Sequence, residues 1–152
     1  MFRPFVFVLL LGPFLLSQVR VSTNGTDFKA HGRIDVQVTN AGKEAVSYCV
    51  EFGQTSFKTG TGATADAEST PIPFYVQRQV GDKWSTLMNG PDIGSIRKPI
   101  VLKPGESQQY PFRLSDRGRM RVVLNYWRSE NERTCQQPNG KKAARSNVFV
   151  VN

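Results

Sequence analysis

The chain has 152 residues, a formal charge of +8, two cysteines and a single histidine. That size suits one domain able to bury its own core, so folding demands neither a metal nor a dense disulfide framework. With one histidine, and no cluster of carboxylates or thiolates to replace a second, no metal site is expected. Neither cysteine lies in a CxxC pair, which argues against redox catalysis, and no cofactor is expected.

The first segment reads as a leader. Met1–Pro4 carries one cation, Arg3, and Phe5–Leu16 is a run without charge, followed by the small residue Ser17. A short basic region, an apolar core and a small residue at a cleavage position make a secretory signal peptide. The run is shorter than the ~20 residues of a membrane helix, and Pro13 interrupts it. The expectation is a leader over 1–17 and one mature domain over 18–152, secreted or periplasmic, with no transmembrane segment after leader removal. Only Arg3 leaves with the leader, so 19 cationic residues then face 12 anionic ones, a net charge of +7.

The excess is uneven. Arg113, Arg117, Arg119, Arg121, Arg128, Arg133, Lys141, Lys142 and Arg145 stand against Asp116, Glu130 and Glu132. A solvated basic surface accounts for this. So does an anionic partner: a polyanionic glycan, a membrane face or an acidic protein. Nucleic acid is disfavoured because export separates the protein from it. In an oxidising compartment the pair Cys49 and Cys135 is expected to form a disulfide.

The mature chain reads as strands and turns. Arg33–Asn40 alternates strictly, with Ile34, Val36 and Val38 on one face. Ala41–Glu44 is a turn. Val46–Phe52 alternates again and places Cys49 opposite its apolar set, so a bridge there would tie down a loop rather than pin two sheets through the centre. Gly53–Thr70 is rich in Gly, Thr, Ser and Ala with one large apolar residue, Phe57, and reads as a long mobile loop. Pro73–Val80 resumes strand character and turns through Gly81–Lys83 into Trp84–Leu87. Asn89–Pro99 reads as a loop, Ile100–Leu102 as a short strand and Pro104–Gly105 as a turn. Gln109–Leu114 and Arg119–Trp127 are strands; Ser129–Arg145 is polar and loop-like; Asn147–Val151 is a last strand. No segment shows helical periodicity. About seven to eight short strands predict an all-β, antiparallel β-sandwich.

Several residues carry a resemblance. Leu102–Ser107 (LKPGES), an alternating strand, and Asp116–Val122 (DRGRMRV) resemble the late strands of bacterial immunoglobulin-like domains. Ile34–Asn40 with Val46–Phe52, and Phe74–Val76 leading to Gly81 and Trp84, are similar to the earlier strands. The resemblance covers most of residues 33–151 and implies an immunoglobulin-like sandwich. Met120 stands where a tyrosine often does, and Val122 where antibody domains have their second core cysteine. The Leu-x-Pro-Gly-Glu-Ser turn also resembles bacterial proteinase inhibitors of the intracellular type, which implies a second class of function. Fold fixes neither.

Catalytic-looking strings fail on context. Gly60–Ala65 matches GxGxxA but opens no helix, and Pro71 and Pro73 follow closely. Ser95–Lys98 matches SxxK and Lys58–Gly60 matches KTG, in reversed order and without the helix the lysine needs. His31 is alone, so no catalytic triad is favoured. The remaining candidate is one strand face: with Met120, Val122, Leu124 and Tyr126 inward, Arg119, Arg121 and Trp127 point outward. Two guanidiniums and an indole suit an acidic glycan or a carboxylate. A covering loop over Trp127 would make that indole part of the packing instead. The reading is an exported, non-catalytic binding module of the cell envelope or exterior, its partner a protein or glycan of acidic character. The alternative is a secreted proteinase inhibitor presenting Gly53–Thr70.

Overall fold

The structure, a computed structural model, describes residues 18–52, 72–88, 96–128, 135 and 140–152. The leader expected over 1–17 and the loop expected over Gly53–Thr70 lie outside these residues, as do the GxGxxA and KTG strings. Among the described residues there is no helix, and therefore none long and apolar enough to cross a membrane.

The described chain is all-β and sandwich-like. The strands are β1 (Val19–Thr23), β2 (Asp27–Phe28), β3 (Arg33–Asn40), β4 (Val46–Phe52), β5 (Phe74–Val80), β6 (Lys83–Met88), β7 (Ile96–Leu102), β8 (Ser107–Arg113), β9 (Gly118–Arg128), β10 (Lys142–Arg145) and β11 (Phe149–Val151). One sheet is β1-β3-β8. The other runs β2-β11-β9-β4-β7, with β10 also paired to β9 and with β5 paired to both β9 and β6. Every pairing is antiparallel except β2 with β11.

The core lies where the two apolar faces meet. From the small sheet come Val19, Val21, Ile34, Val36, Val38, Tyr110 and Phe112; from the large one Val46, Tyr48, Val50, Phe74, Val76, Leu102, Met120, Val122, Leu124, Tyr126 and Phe149. Period-two alternation puts these residues on one face of each strand, and burying the facing sets drives the two sheets together. Across the middle, the Tyr48 and Tyr110 hydroxyls hydrogen-bond at 2.7 Å, and Phe74 packs edge-on against Tyr110 and Phe112.

The described residues form eleven strands, where the sequence pattern predicts seven to eight. The additions are β1, β2 and β10. β10 corrects the loop reading of Ser129–Arg145 over its last four residues, where only Ala144 is buried. That segment is a strand because β9 offers it a free edge, with Lys142 opposite Tyr126 and Arg145 opposite Val123. The loop reading of Asn89–Pro99 is likewise shortened, since β7 begins at Ile96 and pairs with β4. Pro99 is tolerated there because β7 is an edge strand. Ile96–Lys98 of the SxxK string are therefore strand, not helix.

Cys49 and Cys135 form a disulfide with a Cα–Cα distance of 5.8 Å. Cys49 lies on β4 between buried Tyr48 and Val50, on the opposite face, so the bridge fastens Cys135 to the outside of the large sheet. One end of the sandwich is closed by Asn40, which is fully buried. Its amide donates to the Glu44 and Leu102 carbonyls at 2.8 and 2.9 Å and accepts from the Gly42 N–H. Its main chain also accepts from Gly105 and donates to Glu106, so one residue ties the β3–β4 and β7–β8 turns together.

Candidate functional site

β9 is the longest strand and lies at the middle of the large sheet. With Met120, Val122, Leu124 and Tyr126 in the core, the residues between them face outward. Cross-strand register then assembles the outer face. Gln77 of β5 lies opposite Arg121, Tyr75 opposite Val123, and Arg145 of β10 opposite Val123 from the other side. The β5–β6 hairpin turns through Gly81–Asp82, Gly81 taking a positive φ of 58° that glycine adopts without strain. That turn sets Trp84 opposite Gln79 and Thr86 opposite Gln77.

Arg121 is the centre of this surface. Its Nε donates to Gln77 Oε1 at 2.8 Å, and its guanidinium carbon sits 4.2 Å from the centre of the Trp84 ring. One edge and one face of the guanidinium are thus fixed, while among the described residues no hydrogen bond or ion pair engages its two terminal nitrogens. Partial burial lowers the Arg121 pKa below the ordinary arginine value, and the positive charge of Arg145 lowers it further; Tyr75 acts in the opposite sense. Among the described residues, no carboxylate lies within ion-pair distance of Arg119, Arg121 or Arg145. Two neighbouring cations with no described counter-ion repel each other, and an anion placed between them relieves that repulsion.

The sequence-predicted residues separate here. Arg119 is exposed and Arg121 half-buried on the expected outer face. Trp127 is on the same face but only 9 % exposed, and it lies six residues from Arg121, about 20 Å along an extended strand. At that end β9 passes from β5 to β4, and Trp127 lies opposite Ser47, itself 0 % exposed. Trp127 therefore packs. The indole that meets Arg121 is Trp84, for which the sequence pattern indicates a strand and no further role. The hairpin turn was a readable signal for the Trp84 register, but the pairing of that hairpin with β9 was not. The Gly53–Thr70 loop, on which the inhibitor reading rests, lies outside the described residues.

Among the described residues, no group of three or more His, Cys, Asp or Glu could hold a metal ion. His31 holds a positive φ of 62° in the turn before β3; its N–H donates to the Leu114 carbonyl, and its own carbonyl accepts from Arg113. Its role in the structure is thus carried by its backbone.

No protein-family model matches the chain, and no curated protein matches it. Similar solved structures include a β-glucosidase of Erythrobacter marinus (12% identity, TM-score 0.36), of which the alignment covers 88% of this chain and 15% of the glucosidase. The seventh PapD-like domain of human CEP192 is similar at 12% identity and a TM-score of 0.36, over 99% of this chain and 96% of that domain. Spo0M, a sporulation control protein of Bacillus subtilis, is similar at 16% identity and a TM-score of 0.40, over 90% of this chain and 50% of Spo0M.

Proposed function

We propose that the protein is an exported, non-catalytic binding module that takes an anionic ligand on the outer face of its large sheet. In this reading residues 1–17 are the leader, residues 18–152 form one immunoglobulin-like domain, and the protein works in the periplasm or outside the cell. The observation that carries it is Arg121, fixed by Gln77 and Trp84 beside Arg145 with no described carboxylate in reach. A surface that served solubility alone gains nothing from holding a guanidinium in one position, because fixing a long side chain costs rotamer entropy. A fixed guanidinium has already lost that freedom before the ligand arrives. The Cys49–Cys135 disulfide suits an oxidising compartment.

The test is salt-dependent binding of anionic probes by the wild-type protein and by an Arg119→Ala/Arg121→Ala variant. The expected result is an affinity that falls with salt in the wild type, and in the variant a lower affinity with a shallower salt dependence. A folded variant that binds as the wild type does removes this face as the site.

A further inference from the structure

The ligand class can be narrowed from what surrounds Arg121. We propose that the face binds an acidic polysaccharide, a carboxylate or sulfate of the sugar being held by the terminal nitrogens of Arg121 together with Arg145. This inference rests on the reading of the chain as an anion-binding module.

Three observations favour a sugar over the other sources of negative charge. First, the guanidinium is oriented. With Nε on Gln77 and one face on Trp84, Arg121 offers a fixed pair of N–H groups, the geometry for two oxygens of one oxyanion rather than for a diffuse field. Second, the side chains around Arg121 are amides, hydroxyls and aromatic rings set about the buried Val123. Gln77, Thr86, Asn125 and Tyr75 share the outer face. Each offers donors and acceptors to hydroxyl groups, and the half-buried Tyr75 and Trp84 rings supply flat apolar area for a pyranose. Third, the described residues of the face present no apolar wedge of the kind a membrane-surface protein uses. Among the described residues the exposed large hydrophobic side chain is Val80, whose place in the alternation of β5 is with Phe74 and Val76, on the other side of the strand. Arg119, two residues along β9, extends the cationic line by about 7 Å, which gives a polymer a second point of attachment.

The experiment titrates the purified protein with polygalacturonate, dextran sulfate, neutral dextran, poly-glutamate and phosphatidylglycerol vesicles at fixed salt. The expected result is binding to polygalacturonate or dextran sulfate, tighter than to poly-glutamate or the vesicles and absent with neutral dextran. Carboxylate and sulfate as the source are separated by which of the two polysaccharides binds. Arg121→Ala and Arg145→Ala are each expected to weaken the interaction about tenfold or more. Arg121→Lys is expected not to restore it, since an ammonium cannot present the fork. Arg145 is exposed on β10, so its variant is expected to fold even where an Arg121 variant does not. Binding to poly-glutamate or vesicles without binding to either acidic polysaccharide overturns the sugar assignment and leaves the anion-binding reading in place. Binding to no anionic probe removes both. Polysaccharide binding unchanged in a folded Arg145→Ala variant removes this site.

Discussion

The Tyr48 hydroxyl, on β4 of the large sheet, meets the Tyr110 hydroxyl, on β8 of the small sheet, at 2.7 Å inside the core. The rings stand edge-to-face, 6.3 Å between centroids. Each phenol is the other's polar partner, so two tyrosines can lie at 0 % and 8 % exposure without leaving a buried hydroxyl unsatisfied. The pair links the sheets at a depth where the protein's disulfide does not, because Cys49 faces the other way from Tyr48.

Tyr48→Phe and Tyr110→Phe are each expected to cost about 1–3 kcal/mol in denaturant unfolding, since each leaves the other hydroxyl buried and alone. The double variant is expected to cost less than the two singles combined. Additive losses would show that the hydroxyls do not depend on each other.

Burial raises the pKa of both phenols above the ordinary tyrosine value, and for Tyr48 the bond to Tyr110 raises it further. The folded state therefore keeps protons that the unfolded chain releases above pH about 10. The pair's contribution is complete below that pH and declines as pH rises beyond it. Stability measured from pH 8 to 11 is expected to fall at the alkaline end, and the double phenylalanine variant is expected to flatten that fall.

Trp127 and Trp84 are expected to behave oppositely. Trp127→Ala should cost the ~3–5 kcal/mol typical of a buried large aromatic, because Trp127 is covered at the β4–β9 junction. Trp84→Ala should cost less stability and weaken anion binding, since it frees the guanidinium of Arg121. A thermal melt and a binding titration on both variants check this. A Trp127 variant that melts like the wild type but loses binding would return Trp127 to the site.

Asn40→Ala removes the amide that serves the Glu44 and Leu102 carbonyls and the Gly42 N–H. With these groups left at a buried corner, the expected loss is about 2–3 kcal/mol. Backbone hydrogen exchange is expected to rise first at Gly42 and Gly105, on the two turns that Asn40 joins.

The Cys49–Cys135 bridge closes a loop of 86 residues. In the chain-entropy model such a loop is worth ~4.5 kcal/mol, within a measured range of about 0–5. Thiol labelling of denatured, unreduced protein is expected to find no free cysteine. Because the bridge lies outside the core, Cys49→Ala with Cys135→Ala is expected to lower stability while the sandwich still folds.

Much of the sandwich was legible in the sequence. The alternation of β3, β4, β8 and β9 names the core faces directly, because a strand's side chains repeat every two residues and apolar ones must be buried. The same alternation put Cys49 off the core and Arg119 and Arg121 on the outside. β10 was not legible: Lys142–Arg145 has one buried side chain, and what makes it a strand is the hydrogen-bonding edge of β9. The site divided in the same way. Sequence determined which side of β9 each residue faces, which is a local property. Tertiary pairing decided who stands beside it. Trp127 is buried where β9 pairs with β4, and the docking of the β5–β6 hairpin lays Trp84 against Arg121. Register between strands distant in sequence is set by the packing of whole faces, and no single strand's pattern contains it.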